Sequence, residues 1–451
     1  MLPLRQFLPA PRRPRFAPPL AACLAALGLP GTAPAQSSAP DTGHGAPGSV
    51  IFLHPDGMGV NSWGVARMLL AGPDGRLEWD HLPHMAVYTG HMTDQLGSTS
   101  HGGATTHAFG VKVRADSYGM DGPDALVAAS GRPLGLVSEA REAGLATGLV
   151  NSGTITEPGT GAFVASVPER RRHAEIAARI LASGVDVILG GGERWFLPAG
   201  APGVHGEGRR ADGRDLLAEA RAAGYAVVRT REELLALPDT VTRLLGLFAA
   251  NHTFHDLPEE ELAAVGLAPY DPAAPTFAEM VGTALEVLAR SGRRFLLVAE
   301  EEGTDNHANA TNAAGTLEAA RRADEAVGVA REFVRAHPRT LVLLTSDSDA
   351  GGMQVYEKGV REGDPVPATT RIGAPLDGAA GTASEPFLSA PDARGRRHPF
   401  AVAWVSSGDL SGGILVRAAG HGAHRVRGTM DNTDVYRVMY RTLFGPLPGD
   451  D

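Results

Sequence analysis

Residues 50–59 read VIFLHPDGMG, and the reading of this stretch decides the fold. Val50 to Leu53 form an apolar run rich in strand formers, the signature of a buried strand. Asp56-Gly57 breaks that strand, and Gly57 and Gly59 permit the dihedrals of a tight turn. A helix-like run follows from about Ser62 to Leu70. Asp56 is thereby placed on the turn after a first strand. In open α/β sheets, ligands bind at the carboxyl ends of the strands, where such a turn lies. A lone turn aspartate is ordinarily a turn former or a helix cap. Asp56 stands out because carboxylates recur later in the same kind of place.

Outward from this stretch the pattern of apolar strand and polar turn returns. FLLVA at 295–299 runs into Glu300, Glu301, Glu302 and Asp305, and TLVLLT at 340–345 runs into Ser346-Asp347-Ser348-Asp349. Further strands are expected within 134–152, at VDVILGGG (185–192), at AVAWVSS (401–407) before Asp409, and at ILVRAA (414–419) before His421 and His424. Helical patterns lie near 214–223, 231–236, 277–290, 315–337 and 432–443. This alternation predicts an α/β fold, with a central, largely parallel sheet and helices on both faces. One domain over 49–447 is expected. Residues 358–398, rich in Gly, Pro and Ala, read as a long surface loop inserted at the rim of its site.

The composition is that of a globular protein, with 43% apolar and 20% charged residues in a chain of 451. The formal charge of −10 argues against a nucleic-acid-binding surface, and no segment reads as a transmembrane span. Residues 1–35 read as a bacterial signal peptide: Arg5, Arg12, Arg13 and Arg15, then an apolar run from Leu20 to Leu29, then Ala33-Pro34-Ala35. Leu20-Ala21-Ala22-Cys23 also resembles a lipobox that would anchor the protein through Cys23, and Arg12-Arg13 a twin-arginine signal. Cleavage removes four arginines and the single cysteine, taking the charge to −14 and leaving a periplasmic or secreted protein without disulfides. Residues 36–48 read as a flexible linker.

Three carboxylate clusters past three apolar strands suggest a polynuclear metal site at the sheet's carboxyl edge. Acids buried together repel, and a divalent cation removes that cost. Ser100 stands at a loop end with a helix behind it; it is either an N-cap or a nucleophile activated by the helix terminus and a metal. The run Arg170-Arg171-Arg172 is either a solvated face or contributes one residue that turns inward to clamp phosphate.

These pieces together resemble the alkaline phosphatase family over most of residues 50–445. The resemblance rests on Asp56-Gly57-Met58-Gly59, the Ser100 segment ending Gly110-Val111-Lys112, VDVILGGG, the Glu300–Asp305 block, Thr345-Ser346-Asp347 and GTMDNTDVYRVM at 428–439. It implies that Ser100 is a nucleophile forming a phosphoserine and that Arg170 grips two phosphate oxygens. It implies that Asp56 bridges a catalytic metal and a magnesium, with Glu300 on magnesium, Asp305 on a first zinc and Asp347 on a second. A small phosphate monoester as substrate, Zn2+ and Mg2+ as cofactors, and a homodimer follow from the same resemblance.

The chain also departs from the family's pattern. The acidic residue before the nucleophile is Thr99 here. Zinc histidines fall on Asn309, on Ser348, and on Ser406 or near Asp409, while the magnesium threonine falls on Gly159 or Thr160 and Glu157 takes an acidic or histidine position. His307, His421 and His424 are the candidate replacements. Oxygen donors suit harder ions, so a shift toward Mg2+, Ca2+ or Mn2+ is expected. A phosphodiesterase of the same superfamily and a non-catalytic metal- or phosphate-binding relative are the alternatives. The serine segment does not match a sulfatase motif.

Overall fold

Along the strand Ser49–Pro55 every residue is buried. Val50 and Phe52 enter one apolar layer, and Ile51 and Leu53 enter another. This period-two alternation is that of a strand covered on both faces. A computed structural model describes residues 46–449. The signal-peptide reading of 1–35, with Cys23, lies outside the described residues, as does most of the 36–48 linker.

Ten strands build the central sheet: β1 (Ser49–Pro55), β2 (His84–Thr89), β3 (Ala146–Thr154), β4 (Val187–Gly191), β5 (Ala226–Val228), β6 (Leu244–Leu247), β7 (Phe295–Glu301), β8 (Thr340–Leu344), β9 (Ile414–Gly420) and β10 (Arg427–Asp431). Their order is β10-β2-β9-β8-β1-β7-β3-β4-β6-β5. Pairing is parallel except at β9, which runs antiparallel to both β8 and β2. Helices α1 (Val60–Leu70), α2 (Ser100–Phe109), α3 (His173–Ser183), α4 (Phe277–Arg290), α5 (Ala313–Ala336) and α6 (Asn432–Phe444) cover it. The apolar residues of α1, α4 and α5 join the layer of Ile51 and Leu53; those of α2, α3 and α6 join the layer of Val50 and Phe52. In α4, Phe277, Met280, Val281, Ala284, Leu285 and Leu288 recur at helical spacing on the buried face. Thr276 and Glu279 close its amino end in a capping box. No described helix is long and apolar enough to cross a membrane.

Two sequence expectations are corrected here. The strand read at 401–407 is Pro399–Ala403 and lies outside the central sheet. It pairs antiparallel with Gln354–Tyr356, Leu376–Gly378 and Phe387–Leu388. So 358–398 is not simply a loop, because it contributes strands to a second sheet. Those strands have only two or three residues each, too short to show alternation among the glycines and prolines. The second correction follows from the direction of β9. Gly420 pairs with Leu341 at the start of β8, and the His421 amide donates to the Thr340 carbonyl at 3.0 Å. His421 and His424 therefore lie at the amino edge of the sheet, opposite the turn that carries Asp56.

The alternation makes the interior strands sensitive to truncation. Leu297 in β7 is fully buried. Leu297→Ala should lower unfolding free energy by about 2–5 kcal/mol, read as a fall in the urea midpoint at constant slope. Leu235→Ala at an exposed site should change it by about 0.5 kcal/mol or less.

Candidate active site

Strands β8, β1 and β7 are neighbours, and their register places Leu344, Leu53 and Ala299 abreast. One step further, His54 pairs with Glu300 and Pro55 with Glu301. Asp56 follows β1, Glu300 lies at the end of β7, and Asp347 comes three residues after β8. All three carboxylates are buried. The three clusters seen in the sequence thus meet at one point of the carboxyl edge.

Two sets of donors lie close enough to hold a cation. One atom each from His54, Asp56 and Glu300 falls within 4.8 Å of the others, as does one each from Asp56, Glu302 and Asp305. The short helix Gly303–Asn309 carries Asp305 and Asn309 on one face, four residues apart. Asn309 Nδ2 donates to Asp305 Oδ2 at 2.9 Å and to Asp409 Oδ1 at 3.3 Å. Asp409, rather than Ser406, is the residue hydrogen-bonded into this group. Ser348 is buried beside Asp347, and its hydroxyl has no partner among the described residues.

Ser100 is the first residue of α2, but it does not cap the helix. Thr99 does, accepting from the Gly102 amide at 3.2 Å. The Ser100 hydroxyl is left near enough to Asp56 to help hold that carboxyl's pKa low. The helix comes this close because position 103 is glycine; a Cβ there would stand 2.5 Å from Asp347 Cβ. Arg170 precedes α3 and is half-buried, whereas Arg171 and Arg172 are exposed. Its Nη2 donates to Glu157 Oε2 at 2.8 Å, which engages Glu157 with the guanidinium.

Glu300 lies directly over Gly159, where a Cβ would approach its Oε1 to 1.7 Å. A side chain at 159 would have to displace the Glu300 carboxylate. Thr160 Oγ1 accepts from Asn151 Nδ2 at 3.1 Å, and the same amide donates to Glu300 Oε2. His307 does not stand in for a missing imidazole. It is buried against Phe254 and Tyr270, with ring centroids 5.4 and 5.7 Å away.

Sequence reasoning missed His54, Glu302 and Asn151. His54 Nδ1 lies 3.2 Å from Glu300 Oε1. The signal was available for His54: the alternation of β1 puts residue 54 on the face of Phe52. Glu302 was visible only as part of an acidic run whose members go different ways. Glu301 turns to Ser152 and Tyr270, at 2.6 Å each.

Burial dominates the electrostatics. It pushes Glu302, Asp305 and Asp347 well above the usual carboxylate range, and neighbouring carboxylates add to the shift. Burial likewise lifts Glu300 to about 7. For Asp56 burial acts in the same sense, but Asp347, His54, Ser100 and Arg170 outweigh it and hold its pKa low. Burial opposes the charge on Arg170, and Glu157 and Glu302 more than restore it. Buried atoms without a hydrogen-bond partner include Asp56 Oδ2, both oxygens of Asp347, Asp305 Oδ1, Glu302 Oε2 and His54 Nε2. Acceptors packed together without donors fit divalent cations, and the mostly oxygen donor set fits hard or borderline ones.

Comparison with known proteins agrees with this geometry. The family model described as alkaline phosphatase matches residues 48–384. Streptomycin-6-phosphate phosphatase of Streptomyces griseus is 31% identical over 357 residues, covering 70% of this chain and 77% of the relative. Alkaline phosphatase of Escherichia coli is 25% identical over 441 residues, covering 88% and 86%. Among solved structures, a variant of alkaline phosphatase from the Antarctic bacterium TAB5, with magnesium bound in its M3 site, superposes with a TM-score of 0.66. That match covers 89% of this chain and 99% of the other at 19% identity, a likeness of fold.

The raised carboxylates set the pH response of metal-stripped protein. A glutamate ordinarily titrates near 4.3, and Glu300 is held at about 7. A group whose folded pKa is raised stabilises below its unfolded pKa, and that contribution is lost as pH rises through the folded value. Asp305, Asp347 and Glu302 act in the same sense; Asp56 alone opposes them. Stripped protein should therefore lose thermal stability from about pH 4 to pH 8. Divalent metal at a hundred times its Kd should restore about 2.7 kcal/mol at pH 8. Calorimetry checks this; a flat metal-free profile would contradict it.

Proposed function

The chain belongs to the alkaline phosphatase family, and we propose that it hydrolyses phosphate monoesters through a phosphoserine formed on Ser100 at a multi-metal site. It is an enzyme of the alkaline phosphatase type. The observation that carries the serine assignment is the division of labour at α2: Thr99 takes the cap and leaves the Ser100 hydroxyl beside Asp56.

In this reading the Ser100 oxygen attacks phosphorus in line with the departing alkoxide. The P–O bond to Ser100 forms as the ester P–O bond breaks, and water then releases inorganic phosphate from the serine. Arg170 holds two phosphoryl oxygens, and Glu157 orients the guanidinium that does so. The amino end of α2, a helix of ten residues, adds a partial positive charge next to the anion. Asp56, Asp347 and Ser348 are proposed to hold one cation, Asp305, Asn309 and Asp409 a second, and Asp56, Glu300 and Thr160 a third. When bound, these ions supply the charge that lowers the pKa of the nucleophile and steadies the leaving oxygen. Positioning and charge then account for most of the catalysis.

Zinc and magnesium are proposed from the family, with a preference moved toward magnesium, calcium or manganese because oxygen donors replace imidazoles. The magnesium reported in a TAB5 variant supports testing magnesium as one of the ions. Export to the periplasm or medium, from residues 1–35, and a homodimer belong to the same reading. The relative named for streptomycin 6-phosphate makes the phosphate ester of a small hydroxylated molecule the first substrate class to test.

Metal-stripped protein should hydrolyse a chromogenic monoester only after a divalent ion is restored. Ser100→Ala should lower kcat by about a thousandfold or more while leaving metal content unchanged. Activity surviving in Ser100→Ala would move the nucleophile, with Thr99 next. Metal and phosphate binding without turnover would favour the non-catalytic relative. A faster rate on a diester would favour the phosphodiesterase. In a separate measurement, Arg170→Ala should weaken inhibition by inorganic phosphate roughly 10–100-fold, the loss of a charge-assisted paired contact.

A further inference from the structure

We propose that His54 donates Nε2 to the cation shared by Asp56 and Asp347, so that an imidazole absent at position 348 reaches the same ion from β1. The inference rests on the metal-dependent reading above and names a ligand within it.

His54 is 1% exposed, at the end of the strand that carries Asp56. Its register partner across the sheet is Glu300. Nδ1 stands 3.2 Å from Glu300 Oε1. With Glu300 ionised, as a bound cation favours, its carboxylate only accepts, so Nδ1 carries the proton and Nε2 presents its lone pair. Such an arrangement, a carboxylate fixing the tautomer of a metal-facing imidazole, is the usual support of a histidine ligand. Nε2 has no hydrogen-bond partner and lies 3.9 Å from Asp347 Oδ1. Both Asp347 oxygens and Asp56 Oδ2 are equally unpartnered. The neighbouring buried imidazole behaves differently: His107 Nε2 is 2.9 Å from the Tyr88 hydroxyl and is thereby engaged away from the acids. The competing account is that His54 is protonated on both nitrogens and acts as an internal cation between Glu300 and Asp347. The two accounts differ in whether Nε2 binds metal.

The full mature protein, stripped and reloaded with zinc, provides the test. X-ray absorption at the zinc edge should show imidazole scattering in the wild type. His54→Asn keeps an amide where Nδ1 serves Glu300 and leaves nothing where Nε2 stands. It should lose that scattering, and one zinc should be held at least about 100-fold more weakly in chelator competition. His54→Gln, which restores a donor near Nε2 but not near Nδ1, should recover part of the affinity. Wild-type zinc with oxygen donors only would overturn the proposal, whether or not the variants fold. So would unchanged scattering and affinity in His54→Asn. Monoester hydrolysis by the same wild-type preparation keeps the two readings apart. Turnover with all-oxygen coordination removes only the His54 assignment. Absence of turnover with every metal removes the phosphatase reading, whatever the coordination.

Discussion

The structure depends on charge that the chain packs together and does not itself neutralise. Asp56, Glu300, Glu302, Asp305 and Asp347 are buried at the carboxyl edge, with Asp409 hydrogen-bonded alongside through Asn309. Arg170 and His54 are the groups that offset them. Two like charges 4 Å apart repel by about 4 kcal/mol at an effective dielectric of 20, so a cluster of this size cannot stay ionised without cations. The protein tolerates it because the sheet beneath is covered on both faces and holds the strand ends rigidly. The adjacency of β8, β1 and β7 turns three separate acidic turns into one site.

The backbone is shaped to the same end. Glu300 occupies the space that a side chain at 159 would fill, and Asp347 the space that one at 103 would fill. Hydrogen bonds then sort the acids by role. Glu301 gives one oxygen to Ser152 and Tyr270, and Glu157 gives one to Arg170. Asp56, Glu302, Asp305 and Asp347 each keep at least one oxygen without a hydrogen-bond partner. Position within the acidic run at 300–305 therefore matters more than the number of acids it contains.

The central strands and the carboxylates behind them were legible in the sequence, because apolar runs ending at Asp or Glu are local patterns. Strand order was not. Nothing local says that 50–53, 295–299 and 340–345 are neighbours, or that Ile414–Gly420 runs backwards and carries His421 and His424 to the far edge. The strands of the second sheet were too short to show a period. Ser100 was ambiguous by residue type alone, since a hydroxyl at a helix start caps as readily as it attacks. Only the contact between Thr99 and the Gly102 amide shows that the cap is already taken. His54 was hidden for a different reason: the apolar run stops at Leu53, but the strand and its alternation continue two residues further.

The side chains on the two sides of Asp56 offer unequal sets of donor atoms. Asp305, Asn309 and Asp409 offer oxygen alone, through two carboxylates and an amide carbonyl. On the other side, Asp56 and Asp347 have an imidazole within reach. Oxygen-only sites discriminate poorly among hard divalent ions and exchange them readily, whereas a nitrogen donor tilts a site toward zinc and its neighbours. Asp56 lies in both close sets of donors, one with His54 and Glu300 and one with Glu302 and Asp305. Any change in its charge acts on both at once, and its low pKa keeps it ionised while Asp347 beside it is driven toward the protonated form. One aspartate at the end of the first strand thus joins the two close sets of donors into one site.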